Sequence, residues 1–263
     1  MFSGYEPSDC APMSESKPDY STDVAWEEWG RRDPYFAVIT NPKFRRNAIN
    51  QEAKEDLFLS GRMHVTNVMR TIGRFISPDF RPNLVLDFGC GVGRTLIPFA
   101  TLAKAVVGLD VSASMLAEAK INCDDQKVTN VHLLAADDTL SSLDCQFDLI
   151  HSFIVFQHIP FERGRVIFAR LLDRLSPGGV GAIHFLYSSI RFSATAGAPP
   201  AIPVEAKADP LPVSPKSDPE MQMNPYPLTE LFFIMQSFRI TEFHVEFTDH
   251  GGEFGVYLFF AKP

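Results

Sequence analysis

The 263-residue chain holds only four cysteines, Cys10, Cys90, Cys123 and Cys145, too few and too scattered for a zinc pattern or a disulfide framework. They read as reduced thiols, and no metal site is expected. Basic charge is short too: 24 Lys and Arg against 32 Asp and Glu give a net charge of −8. Sequence-independent affinity for nucleic acid comes from clustered cations, so a nucleic-acid partner is disfavoured. No apolar run approaches the roughly 20 residues a membrane-spanning helix needs. The opening MFSGYEPSDCAPMSESKP also lacks the basic and apolar regions of a secretion signal. The expectation is a cytoplasmic protein with no membrane partner; no internal repeat is visible, and nothing speaks to oligomeric state.

What is present is concentrated in one stretch. The run VLDFGCGVGR, Val85 to Arg94, carries an apolar segment into Asp87 and continues with Gly89, Gly91 and Gly93. Glycine is used where the backbone takes φ > 0 or where a side chain would block a ligand. A buried strand turning through such a loop into a helix is the ligand-cradling end of a βαβ unit. A second apolar run, Ala105 to Leu109, ends in the carboxylate of Asp110, about 20 residues on, where a ribose diol lies. The dinucleotide fingerprint wants glycine where this chain has Arg94. Asp87 would repel a pyrophosphate and suits a cationic ligand, so a nicotinamide-dependent oxidoreductase is opposed.

At this point the chain resembles the class I S-adenosylmethionine-dependent methyltransferases. The likeness continues in order through GLDVSASML, VHLLAADD, FDLIHSFIVFQHI and LSPGG, firmly over residues 83–187 and more loosely from Tyr226. It implies S-adenosylmethionine as cofactor and methyl transfer to an O, N or C atom of a small-molecule acceptor. Methylation of a protein, or cofactor binding without catalysis, are the rival readings.

On this resemblance Asp87 faces the cationic cofactor, and Gly89 and Gly91 let the backbone approach its methionine part, with backbone N–H groups free to meet its carboxylate. Cys90 is a small spacer between them. Asp110, followed by Val111, accepts from the ribose hydroxyls, Met115 lies against the adenine, and Asp137 or Asp138 accepts from the adenine amino group. Ser152 and Phe153 complete the cofactor side at the carboxyl end of the fourth strand, with Gln157 and His158 just beyond. His158 is the candidate catalytic base, against the alternatives of positioning and packing. His151 and His184, inside strands, read as buried and hydrogen-bonded. Arg62 is either a partner of the cofactor carboxylate or a surface residue, and Tyr35 and Phe36 are either a lid or a satellite core.

The fold class expected is α/β: a doubly wound, mostly parallel, seven-stranded Rossmann-like sheet with an antiparallel last hairpin and an N-terminal helical cap. Residues 1–22, rich in Ser, Pro and acid, read as a disordered tail, and residues 23–263 as a single domain. Within it, 23–80 form the cap, with helices over Gln51 to Ser60 and Met63 to Phe75 separated at Gly61. Residues 81–187 form the cofactor-binding core. Strands are expected near Leu84–Asp87, Ala105–Asp110, Val131–Ala135, Phe147–Ser152 and Gly181–Leu186, and a helix carries Phe168, Leu171, Leu172 and Leu175 on one face. Residues 188–227 hold nine of the chain's 20 prolines and read as a mobile cover over the acceptor. Residues 228–263 supply a helix and the closing hairpin.

Overall fold

The computed structural model describes residues 21–189 and 218–263. The expected tail lies outside these residues except for Ser21 and Thr22, which open the first helix. So does most of the Pro-rich segment.

Five helices stand in the first half of the chain: α1 Ser21–Arg32, α2 Pro34–Val38, α3 Gln51–Phe75, α4 Leu96–Ala100 and α5 Ala113–Asp125. α6 Phe161–Arg174 and α7 Leu228–Ser237 follow. The strands are β1 Leu84–Phe88, β2 Ala105–Asp110, β3 Val131–Ala135, β4 Phe147–Ser152, β5 Leu175–Ser189, β6 Phe243–Asp249 and β7 Glu253–Ala261. They form one sheet in the order β3-β2-β1-β4-β5-β7-β6. β1 to β5 pair in parallel, and β7 runs antiparallel between β5 and β6. Successive side chains of a strand point to opposite faces. Val85, Leu149 and Ala182 therefore enter one core with Trp29, Leu57 and Ile72. Leu86, Ile150 and Ile183 enter the other with Phe168, Tyr226 and Leu231. Both faces are covered, as a parallel sheet requires.

Two boundaries differ from expectation. Leu175, placed on the helix face by its spacing, is the first residue of β5, whose hydrogen bonding begins before the Ser-Pro-Gly-Gly turn. The second difference lies in the cap, where α3 runs unbroken for 25 residues. Gly61 sits inside it because the helix presses on the glycine loop: a Cβ there would lie 1.9 Å from the Arg94 carbonyl oxygen. Glycine marks a close backbone approach here, not a stop. Asn50 caps this helix by accepting from the Ala53 N–H at 2.8 Å, and Leu57, Val65, Val68 and Ile72 form its buried stripe.

Residues 218–227 dock on the sheet's carboxyl end. The Asn224 N–H donates to the Gln157 carbonyl at 2.6 Å and the Tyr226 N–H to Leu186 at 2.7 Å. Asp218 pairs with Arg45, whose guanidinium lies 3.4 Å from the Phe36 ring centroid. Among the described residues no helix is long and apolar enough to cross a membrane.

Candidate functional site

A cavity opens at the carboxyl ends of β1, β2 and β4, the side of an open α/β sheet where ligands bind. Its floor is the glycine loop, its walls the chain after β2, β3 and β4, and its cover the first turns of α1 through Thr22, Asp23 and Trp26.

Gly89, Gly91 and Gly93 have φ of 75°, 52° and 89°, values that L side chains rarely adopt. The loop closes on β2: the N–H groups of Gly89 and Cys90 both donate to the Leu109 carbonyl, and that of Gly93 to Cys90. The Gly91 N–H donates to Asp110 at 2.8 Å. The expectation that loop amides stand free for a ligand carboxylate is thus corrected at these four positions. Burial raises the Cys90 thiol well above its ordinary range, so it stays a neutral spacer lining the floor.

Asp110 ends β2 with one carboxylate oxygen on the Gly91 N–H and the other on the Ser112 N–H at 2.9 Å. Each oxygen keeps lone-pair capacity for a further donor, and the residue lines the cavity. Burial raises its pKa to about 6, against the two N–H bonds that lower it and with Asp87 and Glu27 raising it further. Val111 and the buried Met115 line the same end. Ser112 caps α5 and donates its hydroxyl to Glu27 of α1 at 2.8 Å, and the Ser114 hydroxyl donates to the same carboxylate at 2.6 Å.

Asp87 departs from its expected orientation. Its carboxylate is buried beneath the cavity, accepting from the Thr95 hydroxyl at 2.8 Å and from His151 Nδ1 at 2.7 Å. His151 Nε2 meets His64 Nε2 of α3 at 3.0 Å. Asp87 therefore ties the cap helix to the sheet. Ser152 is fully buried in β4 and likewise lies off the cavity lining.

Asp137 and Asp138 both line the cavity, but each is already engaged. Asp137 is the acceptor of a tight turn, bonded to the N–H and hydroxyl groups of Thr139 and Ser141, which hold its pKa below the usual carboxylate range. Asp138 accepts from Arg163 Nε at 2.7 Å, while the other end of that guanidinium holds Asp23 of α1 at 2.7 Å.

Phe153 and His158 form the end of the cavity after β4. His158 is buried, and burial lowers its pKa to about 4. Its Nδ1–H donates to the Gln222 carbonyl at 2.8 Å, and Trp26 packs on the ring at 4.7 Å. Phe153 touches the rings of His64 at 4.1 Å, His184 at 5.1 Å and Tyr257 at 5.4 Å. Arg62 is exposed on α3, while Tyr35 and Phe36 are buried in the cap core, the Tyr35 hydroxyl donating to Asn122 at 2.8 Å.

A family model described as a methyltransferase domain matches residues 85–179. Over this central part of its sequence the chain is similar to methyltransferase domains. Two relatives are an uncharacterized methyltransferase of Synechocystis, 34% identical over 39% of this chain and 47% of its own length, and a ubiquinone biosynthesis O-methyltransferase of Hydrogenovibrio crunogenus, 30% identical over 45% and 49%. The chain thus spans about half the length of the curated relatives it matches. Two solved structures share the fold. Magnesium protoporphyrin IX methyltransferase from Synechocystis, with bound SAH, has a TM-score of 0.60 at 16% identity, over 94% of this chain and 98% of that one. The N-methyltransferase NodS from Bradyrhizobium japonicum, in complex with S-adenosyl-L-homocysteine, has a TM-score of 0.59 at 15% identity, over 92% and 99%.

Sequence reasoning missed the upper half of the site. Thr22, Asp23, Trp26 and Arg163 all line the cavity, yet the first falls in a stretch of tail-like composition. Asp23 and Arg163 carry no local pattern because they meet only through the fold. Arg94 was legible merely as a missing glycine.

Proposed function

We propose that the protein transfers the methyl group of S-adenosylmethionine to a small-molecule acceptor. The observation that carries this reading is Asp110. Its carboxylate ends β2 beside a glycine loop, lines a covered cavity and has acceptor capacity to spare, the chemistry a ribose diol requires. The cofactor supplies an electrophilic methyl carbon. Asp110 holds the ribose hydroxyls, Val111 and Met115 flank the adenine, and Gly89 and Gly91 keep the floor clear of side chains. Asp137 and Asp138 shape the adenine end while bonded within the chain.

His158 orients the acceptor. Its Nδ1–H is committed to Gln222, which leaves Nε2 as the hydrogen-bond acceptor. Trp26, Gln157 and Gln222 surround it with no anion among them, so the ring remains neutral. Displacement at a methyl carbon is in-line, and the chain's main contribution is holding nucleophile and methyl group aligned in a water-poor site. The cover provided by α1 favours a small acceptor over a polymer, and the net charge of −8 disfavours a nucleic acid.

S-adenosylmethionine labelled in its methyl group, incubated with the protein and a fractionated lysate, should place label in the small-molecule fraction. Label in protein or nucleic acid would replace the acceptor assignment, and absence of transfer with cofactor still bound would leave a binding subunit.

A pH test reaches the cofactor end alone. Ribose hydroxyls donate to the ionised carboxylate, and with a pKa of about 6 only about a tenth of Asp110 is ionised near pH 5. S-adenosylhomocysteine should therefore bind about tenfold more weakly near pH 5 than near pH 7.5 by calorimetry. The fold itself should change in the opposite sense, because a carboxyl whose pKa is raised by folding loses stability as pH rises from about 4 through 6.

A further inference from the structure

Among the described residues, Arg94 is the cavity's uncommitted cation. It follows the last glycine of the loop, runs beneath α3 and lines the cavity beside Phe153, whose ring centroid lies 6.0 Å from the guanidinium carbon. A guanidinium offers five N–H donors, yet the hydrogen bond this side chain makes is a 3.5 Å contact to the Ser60 hydroxyl. The other cationic side chain of the lining, Arg163, holds two carboxylates. Asp87, the carboxylate whose charge acts on Arg94, is occupied by Thr95 and His151.

A largely buried charge is costly unless it is paired, and the packing fixes this one in place. Gly61 lets α3 descend onto the Arg94 backbone, and a Cβ at that glycine would also meet the arginine's own Cγ at 3.1 Å. The loop amides that could have served an anion instead are spent inside the fold at positions 89, 90, 91 and 93. An anionic group arriving at the β4 end of the cavity therefore has one strong donor set to meet.

We propose that Arg94 binds a carboxylate of the cavity's ligand, through the paired N–H geometry by which guanidinium groups grip carboxylates. The inference rests on the methyltransferase reading, and that reading provides two sources of the group. One is the amino-acid carboxylate of the cofactor. The other is a carboxylate on the acceptor, which at this end would lie against the ring of Phe153 and so would suit a planar, aromatic acid.

Calorimetry on the full chain separates the sources. S-adenosylhomocysteine and 5′-methylthioadenosine share the nucleoside and the thioether, and only the first carries the carboxylate. If Arg94 serves the cofactor, Arg94→Gln should weaken S-adenosylhomocysteine by about tenfold or more and leave methylthioadenosine within about twofold. If it serves the acceptor, S-adenosylhomocysteine should be unaffected. Benzoate should then bind the saturated wild-type protein in preference to benzamide, and Arg94→Gln should abolish that preference. Should Arg94→Gln unfold, Arg94→Lys keeps the charge, loses the fork and should show an intermediate loss. The wild-type protein adds a control, since raising salt should weaken the carboxylate ligand more than its neutral counterpart. The proposal is overturned if wild-type protein binds S-adenosylhomocysteine no differently from its Arg94 variants and shows no preference for benzoate. Failure of wild-type protein to bind S-adenosylhomocysteine would overturn the methyltransferase reading itself.

Discussion

Asp87→Ala should lower folding stability by about 2 to 5 kcal/mol, since each buried donor left without its acceptor costs about 1 to 3 kcal/mol. The substitution strands two donors at once. Thr95 loses the oxygen its hydroxyl reaches at 2.8 Å, and His151 loses the carboxylate at 2.7 Å, in a place where His151 is fully buried and Asp87 is 1% exposed. The damage spreads through the Nε2 contact between His151 and His64 and so loosens α3 from the sheet. Asp87→Asn keeps an acceptor and should cost only about 1 to 2 kcal/mol. Urea unfolding followed by circular dichroism measures both. A ligand-facing Asp87 would give the opposite pattern, with unchanged unfolding and weakened cofactor binding, and that result would return the residue to the site.

Asp110→Ala should divide the two properties the other way. Affinity for S-adenosylhomocysteine should fall by about 10- to 100-fold, or about 1 to 3 kcal/mol, the worth of a charged acceptor that leaves its hydroxyl partners unmatched. The fold should survive, because Asp110 and the Gly91 it bonds both line the cavity, where water can take the place of the lost carboxylate. The variant should also lose the dependence on pH between about 5 and 7.5, since the group that titrates near 6 is gone. A tenfold pH effect persisting in the alanine variant would assign the titration to another residue.

These two aspartates show what was legible in the chain and what was not. Both end strands, and both were read as ligand groups from their place in a strand-glycine-acid pattern. The pattern reports where a backbone turns, and β1 to β4 begin where their apolar runs begin. It does not report which way a carboxylate rotates, and for Asp87 that was decided by His151, 64 positions away. Distance along the chain also hid the pairings of Arg163 with Asp138 and Asp23. Gly61 was misread for a related reason: a glycine that breaks a helix and one that admits a neighbouring backbone look identical in one dimension. The setting of Asp110 at the end of β2 was legible because its two partners, Gly91 and Ser112, are local or belong to the loop already recognised.

The cover has a kinetic meaning. α1 is held over the cavity by Glu27 on the start of α5 and by Asp23 on Arg163, so a ligand that passes beneath this helix must part those bonds. Such gating motions run on microsecond to millisecond timescales. For a ligand taking that route, residence time is set at a helix remote from the glycine loop, and substitutions at Glu27 or Asp23 change how quickly it leaves without touching a group on the floor below.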